Sequence, residues 1–112
     1  MKIINVLETL VSDTPHKVEV RKLYDNPTAQ AMHITLKPGE SLKPHITPVD
    51  VFFYILEGTV NVQVGEEIIA VSKDFLVESP RDIVHCLSNS TLMPAKILVV
   101  KAPKPITQTK LL

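Results

Sequence analysis

This chain has three glycines in 112 residues, and each stands where a chain of short strands would have to reverse. Pro38-Gly39 suits the two central positions of a type II turn, because proline presets φ and glycine accepts φ > 0. Gly58 follows the apolar run Val51 to Leu56, and Gly65-Glu66 separates two β-branched stretches. Between these turns Val60, Val62 and Val64 alternate with Asn61 and Gln63, the period of a strand with one wet face. Val18 and Val20 alternate in the same way with Glu19 and Arg21. Further strands are predicted over 29–37, 75–79 and 84–88.

Three segments are apolar on both faces: Val51 to Leu56, Glu67 to Val71 and Ile97 to Val100. They predict central strands, covered on one side by a second sheet and on the other by a partner subunit. About eight or nine short strands separated by turns define an all-β double-sheet jelly roll. Residues Asn5 to Val11 could add one short helix with Asn5 as its cap, since Val6, Leu7, Leu10 and Val11 share a face. The tail 102–112 carries Pro103 and Pro105 and is expected to leave the barrel as an extended arm.

Length allows a single domain over 1–112, and 45% hydrophobic content is enough for a core. A domain this small gains from pairing, so a homodimer is expected. Zero formal net charge gives no footprint for nucleic acid or an anionic membrane. The lone Cys86 excludes an internal disulfide framework. Glu8 interrupts the amino terminus before a leader-length apolar run, and no stretch approaches the ~20 apolar residues of a bilayer span, so the expected setting is cytoplasmic.

Two segments carry the chemistry. The first runs from Gly39 through Pro44-His45-Ile46-Thr47-Pro48-Val49-Asp50-Val51 to Gly58, and the second from Pro80-Arg81-Asp82-Ile83-Val84-His85 to Asn89. Together they resemble the two motifs of the cupin family, over a core of about 29–101. The spacing of Gly39, His45, Gly58, Pro80, His85 and Asn89 matches that of a small single-domain cupin. Where the family has a second histidine this chain has Thr47, and where it has a glutamate this chain has Val51. Two motif glycines are replaced by Asp74 and Asp82, residues that tolerate turn conformations.

The resemblance implies a jelly-roll barrel in which His45 and His85 converge on a metal position that lacks two of its ligands. Two imidazoles fall short of the ligand sets of catalytic zinc and non-heme iron sites. The cofactor expectation is therefore none, or a weakly held divalent metal on His45 and His85, with Asp50 and Glu78 as possible further donors. Strand alternation sends Val51, Phe53 and Ile55 inward, so His45, Thr47, Val51, Phe53, Ile55 and His85 are the expected ligand pocket. Phe52 and Tyr54 face outward, toward a subunit interface. His16 and His33 are expected at the surface, and Cys86 as an inert thiol. The family spans several activities, so two readings are carried. One is a barrel that binds a small organic molecule, with Thr47 partnering a histidine. The other is a metal-dependent enzyme of dioxygenase or isomerase type, using His45, His85 and a non-standard carboxylate.

Overall fold

The structure, a computed structural model, describes residues 1–107 and 109–112. Two five-stranded antiparallel sheets face each other. The first is ordered β1 (Glu19–Asn26), β2 (Ala29–Leu36), β9 (Ala95–Lys101), β4 (Val51–Glu57) and β7 (Leu76–Ser79). The second is ordered β10 (Lys110–Leu111), β3 (His45–Ile46), β8 (Val84–Ser88), β5 (Thr59–Val64) and β6 (Glu67–Ser72). This is the expected all-β jelly roll. Alternation decides what it encloses: Leu36, Ile55, Val60, Leu87, Ala95 and Ile97 come from five strands and have no solvent exposure. Among the described residues no helix is long and apolar enough to cross a membrane.

The turns form for the reasons legible in their residues. Gly39 has φ +85° and the Glu40 N–H donates to the Lys37 carbonyl at 3.0 Å, closing the Pro38-Gly39 turn. Gly58 has φ +78°, and a Cβ there would lie 2.8 Å from the Pro94 carbonyl oxygen. Asp74 and Asp82 hold φ of 74° and 63°, so aspartate keeps the left-handed turns where the family pattern has glycine.

Four expectations are corrected. The amino-terminal helix shrinks to a single 3-10 turn over Val6–Glu8, capped as expected by Asn5, whose Oδ1 accepts from the Leu7 N–H at 2.9 Å. Val11 instead bridges to Arg21. The tail does not leave the barrel: Lys110 and Leu111 pair with Ile46 and His45 and extend the second sheet. The segment Glu67 to Val71 is not central but part of the edge strand β6, with Ile68 and Ile69 more than half exposed. His33 is buried rather than at the surface. It does face away from the barrel, but Arg21 and Leu98 flank it across the ladder. The Arg21 guanidinium also donates to the carbonyls of Val6, Leu7 and Thr9, drawing the amino-terminal segment over that face.

Candidate functional site

The inward faces of the two sheets diverge at one end and leave a cavity of about 560 Å³. Register sets its polar residues. On the second sheet β3 and β8 place His45 directly opposite His85, with ring centroids 4.4 Å apart and planes at 73°. On the first sheet, β9 alternates Ala95, Ile97, Val99 and Lys101 inward, and Lys101 arrives opposite Val51 of β4. His16, from the loop before β1, packs its ring 4.8 Å from that of His45. Met32, Ile34, Leu42, Val51, Phe53 and Val99 form the apolar remainder of the wall.

Hydrogen bonds fix the imidazoles differently. His85 is held at both nitrogens, by Thr47 Oγ1 at 3.1 Å from Nε2 and by Ser79 Oγ at 2.7 Å from Nδ1. Ser79 belongs to the opposite sheet, so His85 ties the two sheets together. His45 donates from Nδ1 to the Lys43 carbonyl at 2.7 Å, because a carbonyl can only accept. That leaves the His45 Nε2 lone pair without a protein partner among the described residues. Lys43 also donates its N–H to His16 Nδ1 at 2.9 Å, which puts the His16 proton on Nε2. One residue, Lys43, therefore sets two neighbouring rings in opposite tautomers.

Burial keeps these rings uncharged. Desolvation, then the fields of His45 and Lys101, pushes His85 down to about 3. Desolvation and the nearby His45 and Lys43 push His16 down to about 4. His45 is lowered by desolvation, with its bond to Lys43 working the other way. Burial holds the Lys101 ammonium below the usual lysine range. The Cys86 thiol is raised by burial and donates to the Leu42 carbonyl at 3.1 Å, consistent with an inert side chain.

Five of the six expected pocket residues (His45, Thr47, Val51, Phe53 and His85) line the cavity. Ile55 points inward as expected but is fully buried in the packed core beyond the cavity. The two possible extra donors are corrected. Asp50 accepts from the Arg81 N–H at 3.0 Å, and with Glu78 it lines a separate depression. Glu78 sits opposite Phe52 in the β4–β7 ladder, so alternation sends it outward while the next residue, Ser79, turns in. His16 is also corrected, from surface to cavity wall. Sequence reasoning missed Lys101 and Ser79 as well. The alternation Ile97, Val99, Lys101 was the available signal for the lysine.

The residues present do not fit the divalent ion that the family pattern implies. Both His85 nitrogens are engaged, position 51 is apolar, and Lys101 brings a positive charge to the same cavity. Among the described residues no three His, Cys, Asp or Glu side chains are arranged to hold one metal ion.

This fold and cavity define a small barrel of the jelly-roll type. The cupin domain model matches residues 32–101, and the chain belongs to the cupin family. The tetracenomycin polyketide synthase protein TcmJ of Streptomyces glaucescens is 32% identical over 72 residues, 63% of this chain and 48% of that protein. The chain thus spans about half the length of that relative. The crystal structure of TT1209 from Thermus thermophilus is 29% identical with a TM-score of 0.81, over 94% of this chain and all of that one. The polyketide cyclase RemF of Streptomyces resistomycificus shares the fold with a TM-score of 0.86 at 17% identity, over 100% of this chain and 85% of that one.

Proposed function

We propose that this cupin binds a small organic molecule in its barrel, with His45, Thr47 and His85 giving polar specificity. The observation that carries the reading is the make-up of the cavity wall: an apolar patch of Met32, Ile34, Leu42, Val51, Phe53 and Val99 beside histidines, Thr47 and Lys101, with further polar residues such as Ser12, Thr14 and Lys22 on the loop and β1 side. A mostly apolar concavity with a few fixed polar groups is the usual form of a small-molecule site, and about 560 Å³ suits a ligand of one or two rings. Similarity to a polyketide synthase protein favours an oxygen-bearing organic ligand. The metal-dependent dioxygenase or isomerase reading is disfavoured by the donor set.

Methyl NMR with 2-naphthamide, a neutral two-ring probe, tests the reading. Shifts are expected at the methyl groups of Met32, Val51 and Val99, and they should disappear in Val99→Trp, which fills the cavity. No shifts at millimolar probe, or shifts confined to the outer face of the sheets, would contradict it.

One observation favours a second reading, metal-free proton transfer. His45 offers a free Nε2 lone pair on a neutral ring at the cavity wall, as a general base requires. His45→Gln would then lower turnover far more than it weakens binding of the same substrate, which the rest of the cavity wall still holds. We also propose a homodimer that buries the outward-facing Phe52 and Tyr54, with the more exposed Phe75 and Leu76 nearby. Sedimentation at micromolar concentration should give twice the chain mass, and a monomer would refute it.

A further inference from the structure

We propose that the ligand of this cavity is a small organic anion, a carboxylate or an enolate-type oxygen on an apolar body, and that Lys101 supplies the charge that selects it. The inference rests on the organic-ligand reading and names the chemical class of that ligand.

Lys101 reaches the cavity by strand alternation, as the last inward residue of β9 after Ala95, Ile97 and Val99. Its side chain is half-buried there without an acidic partner among the described residues. The other buried or bridging lysines have partners: Lys22 and Lys104 both reach Asp25, at 3.0 and 2.8 Å, and Lys96 reaches Glu57 at 3.8 Å. The one acid on the cavity wall among the described residues, Asp13, is 98% exposed in its side chain and turned to Lys17. A desolvated cation with no counter-charge is costly, so a cavity that keeps one is suited to a ligand that brings the missing charge.

The neighbouring groups have the same sense. His16 presents a donor Nε2–H, set by the Lys43 N–H that occupies its Nδ1. The field of Lys101 contributes to the lowering of His16, His45 and His85 alike, in keeping with its place on the same cavity wall. The neutral rings supply no negative charge of their own. Register sharpens the point. Val51 occupies the position where the cupin pattern has its glutamate, and the residue across the ladder from Val51 is Lys101. At the point where the pattern would place an acid to meet a cation, this chain pairs an apolar residue with a cation. The charge sense of the cavity is inverted.

The test compares two isosteric probes, 2-naphthoate and 2-naphthamide, by calorimetric titration at low salt and pH 7.5. Wild-type protein should prefer the carboxylate by about tenfold or more, the scale of one charge-assisted hydrogen bond. Lys101→Met should bring the ratio of the two affinities close to one. Val51→Glu, which supplies an internal carboxylate opposite Lys101, should do the same with the lysine still present. Equal affinity for the two probes in wild type, or a preference that survives in either variant, would overturn the inference and leave the organic-ligand reading standing. Failure of both probes to bind would remove that reading and the inference with it.

Discussion

The two ends of this barrel are built by the same strands and have opposite characters. At the closed end β2, β4, β8 and β9 contribute Leu36, Ile55, Leu87, Ala95 and Ile97, all without solvent exposure. Two or four residues along the same inward faces, β4 offers Phe53 and Val51, β8 offers His85, and β9 offers Val99 and Lys101. Alternation holds throughout, so each strand passes from dry packing to a polar wall without changing face. What differs is the identity of the inward residue, and what closes the space between the sheets. Side chains of these strands, with Val60 of β5, fill the closed end. At the open end the loop carrying His16 and the returning tail, with Leu111, complete the wall without filling it. One end is packed dry, and the other carries polar groups on a wall that is not filled.

The largest test of that division is Ile97→Ala. Ile97 is completely buried and paired with Ile34 and Ile55, so truncation should cost about 2–5 kcal/mol in urea unfolding. A loss below about 1 kcal/mol would mean that the closed end is not tightly packed.

The open end should instead reveal itself through pH. His85 and His16 are lowered on folding to about 3 and about 4, so the unfolded chain binds more protons than the native one below about 6.5. Stability is therefore full above that point and falls as acid approaches the native values, by at most about 1.4 kcal/mol per pH unit for each ring. Urea midpoints at pH 7 and pH 4.5 should differ, and His16→Gln should narrow the difference. An unchanged gap in that variant would place His16 in solvent.

The smallest expected effect is that of Lys101→Met, which should stabilise the protein or leave it within about 0.5 kcal/mol, because the ammonium has no ion pair to lose. Destabilisation comparable to that of Ile97→Ala would show that Lys101 belongs to the packed end after all.

The division also explains what the sequence could and could not disclose. Gly39, Gly58 and the Val60–Val64 alternation report local backbone conformation, so the strands and their turns are legible one segment at a time. His45 and His85 are legible because they stand at histidine positions of the two cupin motifs that the chain resembles. His16 is not, because it is brought to His45 by the Lys43 hydrogen bonds across 27 positions of chain, and nothing local marks that contact. Lys101 was obscured by the doubly apolar run before it, which hid the period that continues inward to the lysine. Asp50 and Glu78 were misplaced for the converse reason. Proximity in sequence to the motif suggested proximity in space, whereas the ladder turns Glu78 outward and the Arg81 N–H holds Asp50 aside.

Metal analysis of protein purified without chelator or histidine tag tests most directly whether the open end is an organic-ligand cavity rather than a metal centre. Iron, manganese and zinc together are expected at well under one ion per chain, removed by a mild chelator, since of the three cavity histidines only His45 keeps a free lone pair, and an unpaired lysine stands on the same wall. One tightly held ion per chain that survives prolonged chelation would contradict the organic-ligand reading.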